Sequence, residues 1–312
     1  MVADRNFRTF AVVNPASAGR RTGRRWPVIA AALRDAIGSF DHALTEGPGH
    51  AIELSRSAVA TGYEMVVAVG GDGTFGEVAT GFYDPGTGRV AGVVLGILPA
   101  GTGCDFPRTL DYAGGFPQHC ARLAGRRTRT IDAGVVQFRD HRGDEAVRLF
   151  INVVSFGCGG AVAEAVARAD KRLGAKLTFL VTTIKSLARY RDQSIEIAID
   201  GGAPSVETVT NFAICNAQYF GGGMRVSPTA VIDDGRFDTT LWSGYGLFDL
   251  ARHRRKIYRG THTALAGTTV GRATQVSATS RERVLVDVDG ENPGTLPVTV
   301  RILPGALAFK TP

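Results

Sequence analysis

Cysteine is scarce. The four present, Cys104, Cys120, Cys158 and Cys215, form no C-x-x-C pair, which excludes a zinc ribbon and a dithiol redox site. The six histidines form no H-E-x-x-H set. Lysine is nearly missing as well, with 5 among 36 basic residues, the rest being arginine. Long apolar runs are lacking: the longest, Val90 to Ala100, has 11 residues broken by glycine and proline, about half of the ~20 that a membrane-spanning helix needs. Residues Met1 to Asn6 contain no apolar core or small-residue cleavage site of the kind a signal peptide carries. A cytoplasmic protein is expected. There is no internal repeat, no low-complexity tract and no Gly-x-y period.

What the sequence does have is glycine, 40 of 312 residues, roughly twice the usual ~7 % share. With no period and a hydrophobic content of 44 %, those glycines must serve local backbone geometry in a folded protein. The length accommodates two domains. Net charge is +7 with a pI near 9.5, a balance that favours an anionic partner. Nucleic acid, an anionic membrane surface and a phosphorylated small molecule all fit that balance. Basic residues gather at Arg20-Arg21 with Arg24-Arg25 and again at Arg252-His253-Arg254-Arg255-Lys256; such runs serve either as solvated faces or as contacts to a charged partner.

The first third alternates short apolar runs with amphipathic stretches, the pattern of βαβ units on a parallel sheet. Strands are expected at Thr9 to Val13, Met65 to Val69 and Val93 to Leu98, with helices at Trp26 to Ile37, His50 to Ala60 and Phe75 to Phe82. After about Asp132 come longer strand-like runs, Val147 to Val154, Ser194 to Ile199, Val206 to Cys215 and Phe237 to Trp242, which suggest a β-rich second domain. Helical insertions are expected from Gly160 to Arg189 and from Leu247 to Tyr258. In the first, Leu173, Leu177, Leu180, Ile184 and Leu187 make one apolar stripe, suited to core packing or to a hydrophobic substrate or membrane.

The chemistry concentrates in loops after strands. Met65 to Val69 runs into Gly70-Gly71-Asp72-Gly73-Thr74-Phe75. Glycines that open a helix let backbone approach a phosphate, and the helix start offers unpaired N–H groups. Gly71, Gly73 and Gly76 satisfy G-x-G-x-x-G, but residues 91 to 98 contain no acid to hold a ribose, and no G-K-[ST] follows, so neither a dinucleotide fingerprint nor a P-loop is complete. Asp72 inside the loop would repel a pyrophosphate unless a cation bridged them. The loop therefore points to a metal-nucleotide. A second loop, Pro99-Ala100-Gly101-Thr102-Gly103-Cys104-Asp105, again follows a strand and ends in an aspartate, which either caps a helix or joins the first. Loops at the carboxyl ends of neighbouring parallel strands converge on one crevice, and the two together favour a shared Mg²⁺–phosphate site.

A third loop, Asn14-Pro15-Ala16-Ser17-Ala18-Gly19, precedes them. The three in this order resemble the catalytic family of the diacylglycerol kinases, the bacterial lipid kinases related to sphingosine and ceramide kinases and, more distantly, to NAD kinases and phosphofructokinases. The resemblance extends through Phe150-Ile151-Asn152-Val153-Val154-Ser155-Phe156-Gly157, Gly221-Gly222-Gly223-Met224, Asp233-Asp234-Gly235 and Asp289-Gly290-Glu291, and so spans essentially the whole chain. It implies an α/β N-terminal domain of NAD kinase/phosphofructokinase type, residues 1–132 with a C-terminal return at 303–312, that binds ATP. Residues 133–302 would form a β-sandwich domain for the lipid substrate, with the active site in the cleft between the two.

Residue by residue, the resemblance implies that Asn14, Ser17, Gly71, Asp72, Gly73, Thr74, Gly101 and Thr102 contact the nucleotide. It makes Asp72, Asp105 and Asp132 an acidic network around catalytic Mg²⁺, Asp234 a ligand of structural Mg²⁺, and Glu291 the general base. Phosphoryl transfer needs charge neutralisation and an aligned hydroxyl more than covalent help, which agrees with that set. At Cys104 most members carry asparagine, and a thiol is a poorer donor. The expected reaction is transfer of the γ-phosphate of ATP, with Mg²⁺, to a primary lipid hydroxyl, diacylglycerol foremost. A sphingosine, ceramide or NAD kinase-like activity, or a nucleotide-binding regulator without catalysis, stands as the alternative. Peripheral membrane contact through Arg252 to Arg259 or the Leu173 to Leu187 stripe is expected, a homodimer is possible within the family, and no nucleic-acid-binding motif is present.

Overall fold

The computed structural model describes residues 6–101, 103–112, 114–168 and 175–311, with the side chains of 167–168 and 175–180 not described. Contacts divide the chain into two compact units, residues 1–132 with 305–312, and residues 133–304.

The first unit runs β1 (Thr9–Val13), α1 (Ser17–Ile37), β2 (Asp41–Leu44), α2 (His50–Ala60), β3 (Met65–Gly70) and α3 (Asp72–Gly81). A small hairpin, β4 (Tyr83–Asp84) and β5 (Arg89–Val90), leads to β6 (Val94–Pro99) and two short helices, α4 (Phe106–Thr109) and α5 (Phe116–Ala121). Strands β1, β2, β3 and β6 pair in parallel in the order β6-β3-β1-β2. Every residue of β3 and the first five of β6 are buried, which is why they read as unbroken apolar runs: a parallel sheet is covered on both faces. Trp26, Ile29, Leu33 and Ile37 from α1 pack against Met65, Val67 and Val69. The register sets Val13 beside Val69 and Gly70 beside Pro99, so the loops leaving β1, β3 and β6 start level with one another.

The second unit begins within β7 (Thr128–Asp140) and continues through β8 (Glu145–Phe150), β9 (Val153–Gly157), α6 (Cys158–Arg168), α7 (Ala175–Arg189), β10 (Gln193–Ile199), β11 (Ser205–Val209) and β12 (Asn211–Cys215). It closes with β13 (Tyr219–Phe220), β14 (Met224–Arg225), β15 (Phe237–Trp242), α8 (Leu247–Arg259), β16 (Thr268–Ala273), β17 (Gln275–Thr279), β18 (Leu285–Val288) and β19 (Glu291–Lys310). The antiparallel order β16-β15-β12-β9-β18-β19, with β17, β10 and β11 and the β7–β8 pair, makes a β-sandwich-like unit. Its core stacks Phe150 on Phe237 at 5.4 Å and Phe156 on Phe212 at 5.2 Å between ring centres. The last residues of β19 pair in parallel with β6, Ala308 beside Val94, so the chain ends inside the sheet of the first unit.

Several expected runs divide. Val147 to Val154 is two strands, because Ile151 and Asn152 turn to give their amides to Asp289. Val206 to Cys215 also splits at Thr210, whose hydroxyl bonds Asp192. The Gly160 to Arg189 helix is two helices. Of its apolar stripe, Leu173 lies outside the described residues, Ile184 is 44 % exposed and Leu187 lines a cavity.

Candidate functional site

The three loops of the first unit are wired together. Asn14 donates from its side chain to Thr74 Oγ1 at 3.0 Å, and its own Oδ1 accepts the Ala16 amide. Ser17 bonds the Thr22 hydroxyl, which in turn donates to the Ala100 carbonyl at 3.2 Å. The amides of Ala100 and Gly101 both donate to the Gly70 carbonyl, at 2.7 and 2.9 Å. Of the residues expected at the nucleotide, Asn14, Ser17, Gly71, Asp72, Gly73, Thr74 and Gly101 are therefore brought to neighbouring loops; Thr102 lies outside the described residues. Gly101 must be glycine for a steric reason: a Cβ there would sit 2.7 Å from Gly71 Cα and 3.2 Å from its nitrogen. The groove is walled by backbone, and the first-turn amides of α3 have no acceptor within the helix. Both features fit a triphosphate.

Asp72 has a second task. Its two carboxylate oxygens accept the backbone amides of Asp105 and Phe106, at 2.7 and 3.0 Å, so it ties the loop after β6 to the start of α3. Burial pushes its pKa up to about 6, with the Asp105 carboxylate adding to the rise and the two amides opposing it. A cation held nearby would draw that value back down. Asp105, 4 % exposed, is paired with Arg108 at 3.2 Å. Both carboxylates are thus engaged, and they fit a Mg²⁺ ion held through water and phosphate oxygens rather than by direct ligation. Asp132, also buried, accepts the Gly305 amide at 2.7 Å and fastens the returning chain.

Asp234 lies against an arginine. It is ion-paired with Arg272, which also reaches Asp238 at 3.1 Å, and it accepts the Arg236 amide. Among the described residues no three His, Cys, Asp or Glu side chains are arranged to hold a metal ion directly.

Cys104 adopts φ +46°, the left-handed region in which asparagine is tolerated and most other side chains are strained. Its thiol points at the Gly70 carbonyl, 3.7 Å away, and burial pushes its pKa up to about 12. Cys104→Asn is expected to raise the thermal midpoint by a few degrees through relief of roughly 1 kcal/mol of strain. In the wild type the thiol is expected to resist iodoacetamide at pH 8; rapid alkylation, or a lower midpoint for the variant, would contradict this placement.

In the second unit, Glu291 opens β19 directly after the turn Asp289-Gly290, both of whose φ angles are positive, 49° and 88°, as a type I′ hairpin turn requires. Asp289 anchors the turn by accepting three backbone amides, from Ile151, Asn152 and Val153, at 3.0 to 3.1 Å. Glu291 is held by Arg148 of β8, whose guanidinium donates to Oε2 at 3.1 Å. Sequence reading missed Arg148, which stands 143 residues away and belongs to no motif. It also missed Asp287, 5 % exposed, which accepts the Gly290 amide at 2.8 Å and faces Asp289 and Glu291. Burial, helped by those two carboxylates, raises the Asp287 pKa well above the usual carboxylate range.

Asp287 and Gly290 line a cavity of about 240 Å³, together with the polar side chains of Thr183 and Arg254. The remaining wall is almost wholly apolar: Val162 and Ala163 of α6, Leu187 of α7, Trp242 of β15, and Leu250 and Ile257 of α8. The Gly221-Gly222-Gly223-Met224 segment contributes Gly221 and Met224 to it, so that motif serves the cavity and not the nucleotide loops.

Glycine loops suited to a nucleotide in one unit, and a mainly apolar cavity lined in part by the Asp287 carboxyl in the other, are the parts of a lipid kinase. The family model for the diacylglycerol kinase catalytic domain matches residues 8–136, and that for the YegS C-terminal NAD kinase beta sandwich-like domain matches residues 152–311. The chain belongs to the diacylglycerol kinase family of lipid kinases. It is 29 % identical over 271 residues to a diacylglycerol kinase of Mycobacterium tuberculosis, covering 85 % of this chain and 83 % of that protein. To one of Staphylococcus carnosus it is 24 % identical over 304 residues, 96 % and 94 % of the two chains. A crystal structure of a diacylglycerol kinase from Bacillus anthracis superposes with a TM-score of 0.68 at 18 % identity, covering 98 % and 97 %. Yeast NADH kinase shares the fold more distantly, with a TM-score of 0.51 at 11 % identity over 97 % and 82 %.

Proposed function

We propose that the protein transfers the γ-phosphate of ATP to the primary hydroxyl of diacylglycerol, with Mg²⁺, yielding phosphatidic acid and ADP. The observation that carries this reading is the mainly apolar cavity in the second unit, lined also by Asp287 and by Gly290, the residue before Glu291. An acyl chain suits its apolar walls, and a hydroxyl-bearing head suits the Asp287 carboxyl.

In the first unit, Gly71, Gly73 and the amides opening α3 receive the phosphates, with Asn14 and Thr74 fixing the loop's shape. Bound Mg²⁺ would neutralise phosphate charge, held by Asp72 and Asp105 through water. In the second unit, Glu291 accepts the proton of the acceptor hydroxyl as its oxygen bonds to the γ-phosphorus and the bond to the β-phosphate oxygen breaks. Arg148 keeps the Glu291 carboxylate pointed. Asp287, its pKa raised by burial and by the neighbouring carboxylates, stands beside Gly290 where a lipid head would be received. No redox or covalent intermediate is needed, since positioning and charge stabilisation supply most of the acceleration in phosphoryl transfer.

The test offers labelled ATP with diacylglycerol, sphingosine, ceramide and NAD in parallel. Label in phosphatidic acid is expected. Label in a phosphorylated dinucleotide alone, or ATP binding without transfer to any acceptor, would overturn the reading.

A further inference from the structure

No helix among the described residues is long and apolar enough to cross a membrane, yet a diacylglycerol acceptor resides in one. The cavity rim shows how the two meet. Arg254 and Tyr258 of α8 are exposed while lining the cavity, and so mark its rim. On the outer side of the same helix, Phe248, Arg252, Arg255 and Arg259 follow at spacings of four, three and four residues, which align on one helical stripe. All four are exposed, while Ile257 alone faces fully inward. Phe248 is 75 % exposed, more than any other large apolar side chain among the described residues. No packing among the described residues accounts for it, and it shares a stripe with arginines on a helix whose one acid, Asp249, caps the helix start by accepting the Gly246 amide. The end of α7 that lines the cavity through Thr183 and Leu187 repeats the combination, with exposed Ile184, Lys185 and Arg189 and no acid anywhere between Ala175 and Arg189.

We propose that the outer stripe of α8, with the adjoining turn of α7, is the surface on which the protein lies against an anionic bilayer, so that lipid reaches the cavity from the membrane. The partner follows from the chemistry of the stripe: a lone aromatic among arginines matches an interface whose phosphates are negative and whose interior is apolar. A purely polar polyanion would leave Phe248 in water. This deepens the lipid kinase reading and rests on it for the identity of the cargo, but the docking itself is measured separately.

The experiment sediments the full chain with phosphatidylcholine vesicles, with and without phosphatidylglycerol, at low and high salt. In parallel it measures phosphorylation of a short-chain diacylglycerol dispersed in detergent. Wild type is expected to bind the anionic vesicles and to be released by salt. Arg252→Gln, Arg255→Gln and Arg259→Gln combined are expected to weaken binding on the order of a hundredfold, at the usual contribution of each arginine near an anionic surface. Phe248→Ala is expected to weaken it about tenfold without changing the salt response. Turnover of the dispersed substrate should stay at the wild-type level, since none of these side chains lines the cavity. Unchanged binding by the triple variant, equal wild-type binding to neutral and anionic vesicles, or retention of polyuridylate without vesicle binding would overturn the proposal. Should the triple variant fail to fold, the wild-type salt response decides alone, and insensitivity to salt overturns it. Loss of vesicle binding in a protein that phosphorylates no lipid would leave the docking surface standing and sink the functional reading instead.

Discussion

Glu291→Gln is expected to lower phosphoryl transfer by about 10² to 10⁴-fold, the range over which a positioned general base contributes, while the fold and ATP binding stay near wild type. Glutamine keeps the shape of the side chain and still accepts the Arg148 hydrogen bond through its amide oxygen, so what is lost is the ability to take a proton. Glu291 is partly exposed, and its removal leaves no buried donor without an acceptor; the turn beneath it is held by Asp289, not by Glu291. The discriminating measurement is kcat against the thermal midpoint and the ATP dissociation constant. Loss confined to kcat supports the assigned base. Wild-type turnover by the pure variant would remove Glu291 from the chemistry. Arg148→Met provides the companion: it leaves a competent base but frees the carboxylate to swing, so a smaller loss in kcat is expected.

The α/β sheet of the first unit was legible because fully buried parallel strands are written as continuous apolar runs, Met65 to Val69 and Val93 to Leu98, each leading into a glycine-containing loop with an acid. The glycine loops were legible because loops whose backbones touch leave side chains no room, as where Gly101 meets Gly71. What could not be read was which polar group each acid faces. Asp72, Asp105 and Asp132 look alike in sequence, yet the structure sets them against two backbone amides, an arginine and the returning chain respectively. Asp234 looked like a ligand and is paired with Arg272, 38 residues away. Long-range partners such as Arg148 carry no local signature. The cavity was invisible for a related reason: its walls are gathered from α6, α7, α8, β15 and the β13–β14 and β18 segments, whose apolar residues read locally as ordinary core. The Leu247 to Tyr258 helix was expected from periodicity, but only its burial pattern separates the inward Ile257 from the outward Phe248.

Asp72 is where structure alters the sequence expectation most. A carboxylate placed solely to hold Mg²⁺ through water could be removed with little effect on folding, because the free protein would be relieved of a buried charge. Here its two oxygens satisfy the amides of Asp105 and Phe106, and a buried N–H left without an acceptor costs about 1 to 3 kcal/mol. Asp72→Ala is therefore expected to lower the thermal midpoint on the order of 10 °C for a domain of this size, besides reducing transfer at least a hundredfold as the second glycine loop detaches from α3. Asp72→Asn keeps one acceptor oxygen and substitutes a donor for the other, so it should fall between wild type and alanine in stability. Its amide cannot attract a cation, so activity should fall as far as in the alanine variant. That dissociation, graded stability against uniform loss of turnover, separates the tie from the cation-holding role. An alanine variant as stable as wild type would show that the loops hold together without Asp72, leaving it a purely electrostatic part in the reaction.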